Sequence, residues 1–128
     1  MIDVAAAILF DENGRILICQ RSLGDCAGLW EFPGGKREIN EEWTECLERE
    51  CREELGVQIE VDELYDEFCY AYPQKMIHFR FYRAKIVVGE ILRNVHSSIV
   101  WVAKRDLNCF VFCPADERLI ERLSAEND

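Results

Sequence analysis

Residues 41–55, EEWTECLERECREEL, contain neither Gly nor Pro, and Gly56 follows at once. Such a run, closed by a glycine suited to a left-handed cap, reads as one helix of about four turns. At about 100° per residue, Trp43, Leu47, Cys51 and Leu55 form its apolar side, with Cys46 at one margin. Glu50 and Glu54 fall inside that same arc and Glu53 lies at its edge, so three carboxylates converge through i,i+3 and i,i+4 spacings. Like charges so placed cost a few tenths of a kcal/mol per pair in water, and far more when pressed against a core. A chain that folds around this helix must bring something cationic to that face.

Three readings of this face compete. A purely solvated acidic face accounts for Glu42, Glu45 and Glu48 but not for Glu50 and Glu54 on the apolar side. Ion pairing within the helix is the second: Arg49 reaches Glu53 at i+4, whereas Arg52 points away from Glu54. A hard divalent cation with oxygen ligands, Mg²⁺ for preference, accounts for all three carboxylates together.

The overall charge supports a metal rather than a basic groove. The 128 residues have a one-domain length, so we expect a single domain over residues 1–128. They carry 25 acidic against 15 basic residues, a net charge of −10. That field repels nucleic acid polymers and anionic membranes, which excludes partners held by phosphate neutralisation. A phosphate ligand would need a cation to mediate. Seven cysteines, an odd number without a CxxC pair, fit neither a disulfide framework nor a zinc site, and read as mostly buried, reduced thiols. The N-terminus, MIDVAAAILFDENGR, lacks a basic leader and no apolar stretch has membrane-span length, so a cytoplasmic protein without export or anchor is expected. Oligomeric state leaves no mark in the sequence.

Apolar runs at 4–10 and 16–19 flank Asn13-Gly14, which predicts a hairpin with a type I′ turn. Residues 22–30 read as a loop and Pro33-Gly34-Gly35 as a further break. Segments 57–70, 76–88 and 99–102 read as strands; in the second, Ile77, Phe79 and Phe81 alternate with His78, Arg80 and Tyr82. Pro114 opens a C-terminal helix with Leu119, Ile120 and Leu123 at helical spacing. Strands before, between and after two helices imply an α/β fold, a mixed sheet covered on both faces.

Gly35, five residues, Glu41, seven residues and then Arg49-Glu50-Cys51-Arg52-Glu53-Glu54-Leu55-Gly56-Val57 resembles the Nudix box, GX5EX7REUXEEXGU, with U aliphatic. All the fixed positions match; Cys51 replaces one aliphatic residue, a small hydrophobe for a larger one. Gln20-Arg21, the run GLWEFPGGK from Gly28 to Lys36, and Pro114-Ala115-Asp116 are similar to the MutT-type branch. The resemblance covers nearly the whole chain. It implies an α/β/α sandwich and hydrolysis of nucleoside triphosphates to a monophosphate and pyrophosphate, as in nucleotide-pool sanitation. It further implies Mg²⁺, with Mn²⁺ as a substitute, held by Glu50, Glu53, Glu54 and the Gly35 carbonyl. Arg49 and Glu41 would orient the cluster, and Glu53 or Glu54 would serve as ligand and base combined. Arg21 and Lys36 become candidate phosphate contacts; Phe32, Tyr72, Lys75 and Asp116 become candidates for the base pocket.

Two departures from the family pattern matter. Relatives often place a glutamate in the loop before the Trp101 strand; here that position holds Val95, and His96, beside it, reads as an ordinary exposed loop histidine. Asp116 stands where enzymes preferring an oxidised guanine carry Asn. An ionised Asp only accepts hydrogen bonds, which suits a cytosine amino group better than a guanine carbonyl and predicts a preference for cytosine nucleotides. An acid in the first turn of a helix is also favourable without any ligand. The alternatives are another Nudix substrate, such as a nucleotide sugar or dinucleotide, and a nucleotide-sensing module without turnover.

Overall fold

Strict alternation along the first strand divides the molecule into two cores. In the computed structural model, which describes residues 1–126, β1 (Ile2–Leu9) sends Ala5, Ala7 and Leu9 to one side and Ala6 and Ile8 to the other. β2 (Ile16–Gln20) repeats this, with Leu17 and Cys19 opposed to Ile16 and Ile18. A strand buried on both faces belongs between two layers.

The remaining elements are β3 (Trp30–Glu31), β4 (Gly34–Lys36), α1 (Trp43–Leu55), β5 (Gln58–Tyr72), β6 (Lys75–Val88), β7 (Ser98–Val102) and α2 (Glu117–Ser124). Two 3-10 turns, Lys104–Cys109 and Pro114–Asp116, lie between β7 and α2. The strands form two sheets: β4-β1-β6-β5, mixed because β1 runs parallel to β6, and the antiparallel β3-β2-β7. Helix α1 covers one side through Cys46, Leu47, Cys51 and Leu55. On the other side Leu119, Ile120 and Leu123 of α2 share one buried core with Ile77, Phe79 and Phe81 of β6. The expected α/β/α sandwich is the fold found, with the strands split between two sheets rather than joined in one.

The hairpin is built differently from the expectation. The Gly14 N–H donates to Asp11 O (3.1 Å), and Gly14 but not Asn13 has positive φ, so the turn is type I followed by a left-handed glycine. The Asp11 carboxylate decides this by accepting from the N–H groups of Asn13 (2.9 Å) and Arg15 (2.8 Å). Beyond one bridge between Phe10 and Ile16, the two arms leave for different sheets. The C-terminal helix also starts later than expected: Pro114 opens a 3-10 turn, and α2 begins at Glu117.

Two local features seat the site. Gly34 pairs with Ala6 in the β1–β4 ladder, and a Cβ on it would stand 2.7 Å from the Ala6 Cα, so only glycine lets β4 approach this closely. Helix α1 then packs over β4, entered with Glu45 Oε1 accepting from the Glu42 N–H (2.9 Å) and ended by Gly56 at φ 70°. Among the described residues no helix is long and apolar enough to cross a membrane.

Candidate active site

Glu50 and Glu54 stand on the half-buried flank of α1, their side chains 16% and 15% exposed, while Glu53 at 57% lies at the rim. The helical arc drawn from sequence therefore matches the geometry. Arg49 organises this flank. Its Nε donates to Glu41 Oε2 (2.7 Å), Nη1 to Glu50 Oε1 (2.9 Å) and, more distantly, to Glu53 Oε1 (3.4 Å), and Nη2 to Glu41 Oε1 (3.1 Å) and the Lys36 carbonyl (3.1 Å). This bidentate clamp holds the Glu41 carboxyl down at about 2. Intrahelical ion pairing thus neutralises part of the cluster.

It does not reach Glu54. That carboxyl is pushed well above the usual carboxylate range, first by burial and then by its contact with Glu50. Glu54 Oε1 is buried without a hydrogen-bond partner. Gly35 lies under Glu50, where a Cβ would come within 2.6 Å of Oε1, and its carbonyl, paired opposite Ala5 in the sheet, also accepts a weak bond from Cys46 Sγ (3.5 Å). Two crowded carboxyls, an orphaned carboxylate oxygen and a nearby backbone carbonyl make an oxygen donor set that suits a hard divalent cation. Among the described residues no three acidic, His or Cys side chains are drawn into one cage. Glu50 and Glu54 form the buried part of the donor set, and Glu53 waits at its edge on Arg49.

Beside the carboxylates opens a cavity of about 310 Å³ between β1, β6 and the Pro114–Asp116 turn. Glu54, Gly35 and Lys36 line one end; Phe32, Lys75 and Asp116 line the remainder. Phe32 stacks on Phe112 with ring centroids 5.7 Å apart, and Lys75 Nζ lies 5.9 Å from the Tyr72 ring centroid. Arg21 also lines the cavity, already engaged: its Nη1 donates to Glu31 Oε1 (2.9 Å) and its Nε to the Asp25 carbonyl (2.9 Å). Of the candidate residues, Glu50 and Glu53 stay on the helix flank, and Arg49 and Glu41 form the ion pair beside them; the others border this one space.

Asp116 stands in the wall of this cavity. It is only 6% exposed, and burial together with the nearby Glu31 charge pushes its carboxyl well above the ordinary range, against the opposing pull of Arg21. A carboxyl that keeps its proton donates as well as accepts. The side chain faces the cavity and not the solvent at a helix start, so burial acts against the ionised form that makes a pure acceptor.

His96 corrects its sequence reading. It is 5% exposed rather than a solvated loop residue, and its Nε2 lies 3.1 Å from Glu31 Oε2 and 3.9 Å from Glu54 Oε1. Val95, at the position where relatives often carry a glutamate, is half exposed. Neither Glu31 nor His96 was singled out by sequence reasoning as a site residue. No periodicity or spacing ties a strand-end glutamate to a loop histidine sixty-five positions away.

The NUDIX domain profile matches residues 2–123. The chain belongs to the Nudix family. Among its relatives, the 8-oxo-dGTP diphosphatase of Haemophilus influenzae is 39% identical over 127 residues, 98% of this chain and 93% of the relative. The CTP pyrophosphohydrolase of Escherichia coli is 36% identical over 126 residues, again 98% of this chain and 93% of the relative. The solution structure of the E. coli ORF135 protein superposes with a TM-score of 0.82 at 34% identity, covering 100% of this chain and 95% of that one. A MutT protein from Methanosarcina mazei gives 0.84 at 26% identity, covering 99% and 95%. This Nudix protein is a hydrolase, of a family that generally works with divalent metal ions.

Proposed function

We propose that this Nudix hydrolase, a single domain over residues 1–128, cleaves nucleoside triphosphates to a nucleoside monophosphate and pyrophosphate. The observation that carries this reading is the juxtaposition of the Glu50/Glu54 donor set with a base-sized apolar cavity ending in Asp116. A triphosphate laid between them would meet carboxylates and cation at one end and stacking surface at the other. Relatives named for 8-oxo-dGTP and for CTP hydrolysis, each matched over nearly the full chain, support the same substrate class.

Glu50, Glu53, Glu54 and the Gly35 carbonyl would hold Mg²⁺, for which Mn²⁺ can substitute. When bound, the ion neutralises the polyphosphate and renders the attacking water more acidic. Glu54, buried and at the mouth of the cavity, or Glu53 at the rim accepts the proton of that water. Arg49 keeps Glu41, Glu50 and Glu53 in register through its hydrogen bonds. Lys36 and Arg21 face the phosphates, and Phe32 and Lys75 flank the base. Asp116 in its protonated form donates to a guanine carbonyl or a cytosine ring nitrogen, and accepts from the adjoining N–H in either case. In that form its chemistry admits both bases, whereas in the ionised form it favours cytosine, and a panel of nucleotides distinguishes the two.

The decisive experiment incubates the protein and Mg²⁺ with CTP, dCTP, 8-oxo-dGTP, a nucleotide sugar and a dinucleoside polyphosphate. Pyrophosphate release from the triphosphates is the expected result. Phosphate or sugar phosphate instead, or binding without products, refutes it. Residence in the cytoplasm fits nucleotide-pool sanitation and is tested by fractionating cells that express the protein.

A further inference from the structure

Among the described residues two buried side-chain atoms lack any hydrogen-bond partner, Glu54 Oε1 and His96 Nδ1, and they belong to neighbouring residues of one site. His96 Nε2 faces carboxylate oxygens of both Glu31 (3.1 Å) and Glu54 (3.9 Å), so the ring proton belongs on Nε2. An imidazole buried with one nitrogen uncompensated earns its place through the other nitrogen. The loop that carries it is pinned on both sides of the cleft. Asn94 Nδ2 donates to the Glu53 carbonyl on α1 (3.1 Å), Ser22 Oγ to the Val95 carbonyl (2.6 Å), and the Ser97 N–H to the Gln20 carbonyl on β2 (3.0 Å). Arg93 Nη1 closes the loop on the His96 carbonyl (3.2 Å). The position of the imidazole is thereby set relative to the helix and to the strands at once.

We propose that His96 is a positioning residue of the hydrolytic site, whose Nε2–H ties Glu54 on α1 to Glu31 on β3. Glu31 in turn holds Arg21 through Oε1 (2.9 Å), so one side chain aligns the carboxylate end of the site with a cationic residue of the cavity. Glu54 Oε1 stands less than 1 Å beyond hydrogen-bonding distance of Nε2, near enough for a small rotation to complete the bond. This inference rests on the reading of Glu54 as part of the cation site. Partners in this outer position, orienting a ligand rather than binding the metal, are typically worth 10- to 100-fold in metal affinity or activity.

The test compares His96→Ala, His96→Asn and His96→Gln. A glutamine amide can place an N–H where Nε2 lies, whereas asparagine is too short to do so. Mn²⁺ affinity of the nucleotide-free protein is read by electron paramagnetic resonance, and kcat and KM are read separately on the nucleotide the protein hydrolyses. Expected are a 10- to 100-fold loss of Mn²⁺ affinity and a similar fall in kcat for His96→Ala and His96→Asn, with KM changed less than about threefold and wild-type-like values restored by His96→Gln. Wild-type Mn²⁺ affinity and kcat in His96→Ala overturn the proposal, as does a His96→Gln variant no better than His96→Asn. Should His96→Ala fail to fold, the Asn and Gln pair decides. Wild-type protein inert toward every nucleotide would refute the proposed activity, while the Mn²⁺ titration would still decide the role of His96.

Discussion

Gly35 and Glu50 occupy the same space: a Cβ on the glycine would stand within 2.6 Å of both carboxylate oxygens, and the strand backbone there needs no positive φ. Gly34, one residue earlier, meets backbone instead, the Ala6 Cα at 2.7 Å. These adjacent glycines should therefore fail in different ways. Gly35→Ala displaces the end of a flexible side chain, so thermal stability should change by less than about 1 kcal/mol while kcat/KM falls at least about tenfold. Gly34→Ala forces β4 from β1 and should cost about 3 kcal/mol or more. Urea denaturation and steady-state kinetics on both variants distinguish the two effects.

Glu54→Gln keeps the volume of a crowded, buried acid and removes its capacity to ionise. Activity should fall by about 10²- to 10⁴-fold, the usual worth of a positioned acid or base. Circular dichroism should show an intact fold. Mg²⁺ should raise the Tm of the wild type and have a much smaller effect on the variant, since bound ligand stabilises only the state that binds it.

Asp116 titrates higher in the folded protein than in the unfolded chain, where it sits near about 3.9. Between those values the folded state holds the extra proton, so stability is full below about pH 3.9 and declines as pH rises toward the folded value. Asp116→Asn should remove this contribution. The difference in Tm between variant and wild type, measured at saturating Mg²⁺, should accordingly grow in favour of the variant as pH increases. A difference independent of pH would contradict the buried-acid assignment.

Thiol chemistry follows burial. Cys69 and Cys109 are exposed, Cys26 is half-buried, and Cys19, Cys46, Cys51 and Cys113 are buried. Burial pushes the Cys46 thiol up to about 11 and holds Cys19, Cys51 and Cys113 above the normal range. Mass spectrometry after iodoacetamide treatment of native protein should find Cys69 and Cys109 alkylated within minutes, with the four buried thiols modified only after unfolding.

Local signals carried far in this protein. The helix, its Gly56 cap and the arc holding Glu50 and Glu54 follow from a 3.6-residue period acting on neighbours in the chain, and the Nudix box is contiguous with them. The strand positions were legible for the same reason, because alternation is a property of adjacent residues. The short β3 and β4 were not, since two or three residues around Pro33 carry no period, and their pairing is decided by Cys19 and Ala5 far along the chain. The Asn13-Gly14 turn went astray because the Asp11 side chain outcompeted the dipeptide preference.

What the sequence determined by itself was therefore everything built by neighbours: the helix, the acidic cluster on its wrong side, and the family. Only the tertiary structure decided the surroundings of Asp116, Glu54 and His96. Burial and charge at a point depend on which distant segments meet there, and Glu31 from β3, Glu54 from α1 and His96 from a loop meet only once the layers close. The cationic requirement that the bare helix announced is answered in part by Arg49, which reaches Glu50 and Glu53 but not Glu54.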